Sequence, residues 1–275
     1  MLITDSQVHL WSFRGDGNPW HRMVEQYTAA ELIAEMDAAG IDRAVVVPPM
    51  WMGNDNSQAC AAASDYPDRI AVLGRLDLFD PSGAEKLQDW KAQPGMLGLR
   101  FTLGKPEEQE ALKSGALEWL WSAAEAADLP VMFMLAGSAA ETAKVATAHP
   151  NLRLTVDHLD LPGRTTDEEA FANLPVLLNL AQYDNVSVKA CTLGAYSSQD
   201  YPWPNTSDPL KRVVDAFGPA RVFWGSDLTR LPCTYRKCVT HFTEELDWLS
   251  GDDLELVMGR GLSDWIDWPN QARKK

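Results

Sequence analysis

Residues 5–11, Asp5-Ser6-Gln7-Val8-His9-Leu10-Trp11 (DSQVHLW), extend an apolar run that begins at Leu2 and close it with two polar side chains, Gln7 and His9. Side chains two apart on a strand point the same way. The stretch therefore reads as an extended segment, 2–10, that brings an amide and an imidazole to one face. By itself it reads equally as a strand ending in a hydrogen-bonded core histidine. Whether other strands end in the same manner decides between the two.

Seven further apolar, β-rich runs follow: 43–49 (RAVVVPP), 70–76 (IAVLGRL), 97–102 (LGLRFT), 130–135 (PVMFML), 152–158 (LRLTVDH), 186–192 (VSVKACT) and 221–227 (RVFWGSD). Between them lie amphipathic stretches with helix punctuation. TAAELIAEMDAAG (28–40) has Thr28 at the N-cap and Gly40 just past the end, and GALEWLWSAAEAAD (115–128) and SAAETAKVATAH (138–149) read the same way. Eight strands alternating with helices over 275 residues is the count and size of an α/β fold of the (β/α)8 TIM-barrel type. The reading is a single domain over residues 1–268 with a fraying tail at 269–275. An open doubly wound sheet would use similar strands, but no G-x-G-x-x-G or G-x-x-x-x-G-K-[ST] loop occurs to cradle a nucleotide.

Charge narrows the partners. With 24 Lys+Arg against 39 Asp+Glu, the net charge is −15, which disfavours nucleic acid and anionic membranes. The longest apolar runs, such as AVVVPPMWM, fall short of the roughly 20 residues a membrane span needs, and Asp5 interrupts any signal-like start. Cys60, Cys191, Cys233 and Cys238 show no C-x-x-C spacing. A cytoplasmic setting and a small-molecule substrate are expected.

In a barrel, the C-terminal strand ends form the active-site face. Here they carry Gln7 and His9, Arg100, Asp157 and His158, Lys189, and Asp227 with Arg230 just beyond. Several titratable ends converging on one rim outweigh any one of them. Each has a plain alternative: Arg100 and Lys189 can pair with carboxylates inside the barrel, Asp227 can cap a short helix, and Cys191 can be a buried thiol. His149 reads as a surface residue toward the opposite face and His241 as a helix position. Trp11, Trp20, Trp51, Tyr196, Tyr201 and Trp203 fall in loops over the rim and favour an apolar or aromatic ligand. Trp119, Trp121, Trp248, Trp265 and Trp268 read as packing residues. The loop GAYSSQDYPWPN (194–205) reads as a semi-rigid lid.

DSQVHLW, GLRF, LTVDHLDLP, VSVKA and RVFWGSDLTR, in that order, together with MDAAGIDRAVVVPP and YPDRIAVLGRLDL, resemble the amidohydrolase-related branch of the amidohydrolase superfamily from about Ile3 to Trp268. That branch contains lactone hydrolases and nonoxidative decarboxylases. Where metal-binding members carry two first-strand histidines, this chain has Gln7 and His9, and the fifth-strand ligand position falls near Met134. The resemblance leaves His9, His158 and Asp227 to hold an ion, so it implies either no cofactor or one divalent ion, zinc or manganese.

It further implies Asp227 as general base, with His158 and His9 donating to a carbonyl or leaving oxygen. Arg100 and Arg230 would hold an oxyanion, Lys189 would polarise a carbonyl, and Gln7, Trp11, Trp51 and Tyr196 would contact substrate. Three activities follow: hydrolysis of a small anionic or aromatic cyclic ester, metal-dependent decarboxylation of an aromatic acid, or ligand binding by a barrel that has lost its chemistry. The eroded ligand set favours hydrolysis. Relatives of this size occur as monomers or dimers, so the resemblance admits a homodimer.

Overall fold

The computed structural model describes residues 1–14, 21–231 and 233–269. Trp20 and residues 270–275 of the tail lie outside these. Eight strands, β1 (Thr4–Val8), β2 (Arg43–Val46), β3 (Ile70–Gly74), β4 (Met96–Thr102), β5 (Val131–Met134), β6 (Leu154–Val156), β7 (Val186–Cys191) and β8 (Val222–Gly225), pair in chain order. Every pairing is parallel. Helices lie between them, giving a nearly closed (β/α)8 barrel. Strand residues are buried almost without exception, as a parallel sheet covered on both sides requires.

The predicted strands sit where the structure has them, and all but the fourth, which ends at Thr102 as observed, run longer at their C-terminal ends. Pro48 and Pro49 have no N–H to continue the ladder after β2. After β6 the backbone turns left-handed at His158, Leu159 and Asp160, with φ of 53°, 55° and 57°. The helix Ala29–Ala39 ends as its sequence predicts. Thr28 accepts from the Glu31 N–H, the Glu31 carboxylate accepts from the Thr28 N–H, and Gly40 closes the helix at φ 79°.

β8 returns to β1 through one buried carboxylate. Asp5 Oδ1 accepts from the Ser226 N–H and the Gln7 N–H, each at 2.9 Å, and Oδ2 accepts from the Tyr235 hydroxyl at 2.6 Å and from the Ser226 hydroxyl. The Asp227 N–H donates to the Gln7 carbonyl at 3.0 Å. Gly225 is needed at this seam, because a Cβ there would stand 2.5 Å from Cys191 Sγ.

The barrel interior also holds charge. Asp157 Oδ2 accepts from Arg100 Nε at 2.8 Å, and Oδ1 lies 3.2 Å from Lys189 Nζ, with all three side chains buried. Burial opposes ionisation of Asp157, but Lys189 and Arg100 outweigh it and hold the carboxyl below its ordinary range. Arg100 and Lys189 thus follow the plainer of their two readings. Cys191 is buried against Ser6.

His149 is no surface residue. It is 6% exposed, its ring held between Glu118 at 2.9 Å and Glu125 at 3.0 Å, because the loop before β6 packs it against the helix Glu118–Ala126. No helix among the described residues is long and apolar enough to cross a membrane.

Two stability predictions follow from these buried charges. Lys189→Met leaves Asp157 with Arg100 alone and is expected to cost on the order of 3 kcal/mol in urea unfolding, while an effect near zero would mean the ion pair is dispensable. His241 is buried against Trp203, and burial pulls its pKa from 6.5 to about 4. The unfolded chain therefore binds the extra proton first, so stability present above pH 6.5 is lost as pH falls through about 4. His241→Phe should flatten the Tm-versus-pH curve across that window, and an unchanged slope would contradict the assignment.

Candidate active site

A cavity of 760 Å³ is lined from the C-terminal ends of all eight strands, with Gln7, Arg75, Thr102, Met134, Tyr196 and Arg230 among its wall residues. This is the face on which the chemistry of such barrels sits.

His9 stands just past β1 with its tautomer fixed. Its Nδ1 lies 2.8 Å from the Val47 carbonyl, which can only accept, so Nδ1 carries the hydrogen. Its Nε2 then faces Asp227 Oδ1 at 3.1 Å. In the neutral ring that nitrogen is a lone pair, so two acceptors confront each other and require a proton or a cation between them. Asp227 Oδ1 has no hydrogen-bond donor among the described residues, while Oδ2 takes Arg230 Nη1 at 3.1 Å. Burial opposes the charge on Asp227, but a proton on His9 Nε2, and then Arg230, outweigh it and hold the carboxyl far below the carboxylate range. Asp227 does not cap the short helical turn Leu228–Arg230.

The third member of this cluster is His21, which the sequence reading passed over. Its Nδ1 lies 2.7 Å from Thr229 Oγ1, and its ring stacks edge-on against His9 and Trp51, both at 5.1 Å. His9, His21 and Asp227 each present a ligand atom within 4.8 Å of the others. Burial, then the neighbouring His9, pull the His21 pKa down to about 3, keeping its nitrogen unprotonated. Two imidazoles and a carboxylate form a common set for zinc or manganese. Each ring's other nitrogen already has a partner, as metal-bound histidines usually do. These residues fit one divalent ion.

The predicted ligand set changes accordingly. His158 is 2% exposed, 3.8 Å from Asp227 Oδ2, and its Nε2 accepts from the Gln7 amide at 3.3 Å. Gln7 is committed as well, because its Oε1 accepts from Lys189 Nζ at 3.2 Å. His9 has no nitrogen left for a substrate oxygen, since Val47 takes Nδ1 and Nε2 faces Asp227.

Other expectations shift with burial. Lys189 lies beneath the cavity, fully buried, and cannot reach a substrate carbonyl. Arg100 lines the cavity, but its Nε is spent on Asp157, so the two-point grip through Nε is lost. Trp11 is 1% exposed and packs behind Trp51 at 5.4 Å rather than on the wall. Trp51, Tyr196, Gln7 and Arg230 do line the cavity. Trp203, in the loop read as a lid, is buried against Tyr201 and His241.

Arg75 was also missed, although a cation directly after β3 carries the same signal that selected Arg100. His21 sits in a stretch with no strand or helix period, and nothing in its spacing marks it.

The amidohydrolase family profile (Amidohydro_2) matches residues 4–272. The chain is 26% identical over 199 residues to 4-sulfomuconolactone hydrolase of Rhizobium radiobacter, covering 72% of this chain and 64% of that protein. It therefore spans just under two thirds of that relative. It is 24% identical to L-fucono-1,5-lactonase of Burkholderia ambifaria, over 81% of this chain and 79% of that one. A zinc-bound amidohydrolase from Burkholderia multivorans superposes with a TM-score of 0.81 at 20% identity, covering 98% of this chain and 100% of the other. With strand order, rim chemistry and a profile match over nearly its whole length in agreement, the chain belongs to the amidohydrolase family.

Proposed function

We propose that this chain hydrolyses a small cyclic ester at a divalent-metal site built from His9, His21 and Asp227. One observation carries the metal: His9 Nε2 and Asp227 Oδ1, both acceptors while the ring is neutral, oppose each other at 3.1 Å, and His21 brings a third ligand atom within 4.8 Å of both. Zinc in the Burkholderia multivorans structure and the lactone substrates named for the two relatives support the same reading. When bound, the ion supplies a Lewis acid that polarises an ester carbonyl and acidifies water.

The chain's own groups do the rest. Asp227 accepts the proton of the attacking water and returns it to the ring oxygen. The new carbon–oxygen bond forms at the carbonyl, the ring carbon–oxygen bond breaks, and the product is a hydroxy acid. Arg230 orients Asp227 through Oδ2 and keeps guanidinium donors at the cavity wall. Burial pushes the Tyr196 hydroxyl up to about 12, so it stays protonated and able to donate to the developing oxyanion. Trp51 offers an apolar wall for the ring.

Zinc should titrate into chelator-treated protein at one equivalent by calorimetry, with His21→Ala weakening it at least tenfold. Asp227→Asn should lower lactone turnover by a factor on the order of 10² or more. Full lactonase activity in metal-free protein would remove the ion from the mechanism. Release of carbon dioxide from aromatic acids, with no lactone cleaved, would overturn hydrolysis.

A further inference from the structure

We infer that Arg75 and Arg100, joined through Thr102, form a seat for an oxyanion substituent, so that the substrate is a lactone bearing a carboxylate or a sulfonate. The inference rests on the hydrolytic reading for the word lactone, and on its own geometry for the anion.

Arg75 follows β3 and is held by Asn56, whose Oδ1 accepts from the Arg75 N–H at 2.8 Å and whose Nδ2 donates to its carbonyl at 2.9 Å. Arg75 as a residue is 9% exposed and lines the cavity. Nε donates to the Pro48 carbonyl at 2.8 Å and Nη2 to Thr102 Oγ1 at 3.0 Å. Both acceptors are neutral. Among the described residues no carboxylate comes within ion-pair distance of Arg75, in contrast to Arg100 on Asp157 and Arg230 on Asp227. Arg75 Nη1 has no hydrogen-bond partner among the described residues.

The same oxygen, Thr102 Oγ1, also accepts from Arg100 Nη1. Two guanidiniums are therefore tied to one hydroxyl. Arg100 Nη2 also has no partner among the described residues, so both arginines keep a nitrogen to spare, and Thr102 can turn its own O–H outward. Burial, and after it the charge of Arg100, pull Arg75 down to about 9, so the cation persists at neutral pH.

A buried cation with no carboxylate at ion-pair distance, only the more distant charges of Glu108 and Asp157, is costly to the fold. An arriving anion would supply the missing charge, and a guanidinium edge matches the geometry of a carboxylate. The seat is built from β3 and β4, whereas His9 and Asp227 belong to β1 and β8. The acid group would therefore sit across the cavity from the reacting ester.

Calorimetry with isophthalate and its neutral diamide, isophthalamide, tests this without turnover, in the full chain with chelator and again with zinc. Isophthalate should bind at least tenfold tighter than the diamide, and Arg75→Met should remove at least tenfold of its affinity in both conditions. Should Arg75→Met fail to fold, Arg75→Lys and Thr102→Val, which each break the bridge, should still weaken isophthalate several-fold.

Equal binding of diacid and diamide, or wild-type affinity in the folded variants, would overturn the seat. Neutral lactones cleaved as fast as carboxylated ones, with no response to Arg75→Met, would overturn it too and leave hydrolysis standing. Isophthalate binding through Arg75 with no lactone cleaved would overturn hydrolysis and leave the seat.

Discussion

The polar interior depends on the Asp157 carboxylate, a buried charge that must be paired where it stands. Arg100 and Lys189 supply that pairing. Once Lys189 is drawn to Asp157, its ammonium fixes the Gln7 amide by donating to Oε1, and the amide nitrogen must then face His158 Nε2. A single constraint thereby decides the orientation of four further side chains: Arg100 and Gln7 in the cavity wall, and Lys189 and His158 buried beside them. This is why residues that read as catalytic in the sequence act as a scaffold in the fold.

The scaffold is compatible with the proposed metal site even though the first strand brings a single histidine. Gln7 brings no charge and turns its oxygen toward Lys189, so it leaves the ion position to others. His21 reaches that position from the loop after β1, steadied by Thr229 and by the edges of His9 and Trp51. The proposed ligand set is thus spread over the end of β1, the loop that follows it and the end of β8, and it shares Asp227 with Arg230. Across the cavity, Arg75 and Arg100 carry positive charge that the protein leaves partly uncompensated, in a chain whose net charge is −15.

Much of this was legible in the sequence because it follows from period and punctuation. The eight strands, their parallel order, the cap at Thr28 and the rim positions of Gln7, Arg230 and Tyr196 all come from local patterns. Local patterns say nothing about depth below the rim. Lys189 and His158 lie on β7 and just past β6, at positions that read as wall residues, but both are buried in the barrel interior. His21 was invisible for a different reason: a loop residue's place in space depends on Thr229 and Trp51, distant in the chain, and no spacing rule encodes that. Arg75 was a failure of application, since its signal equalled that of Arg100.

The central claim is that the opposed acceptors His9 Nε2 and Asp227 Oδ1 are reconciled by a metal ion that His21 helps to hold. Anomalous diffraction at the zinc edge, from crystals grown with one equivalent of zinc, tests it most directly. The account predicts a single peak at about 2.0–2.1 Å from one nitrogen of each of His9 and His21, with an Asp227 oxygen completing the protein ligands. A peak bound instead by Gln7 and His158, or no peak at the rim, would contradict it.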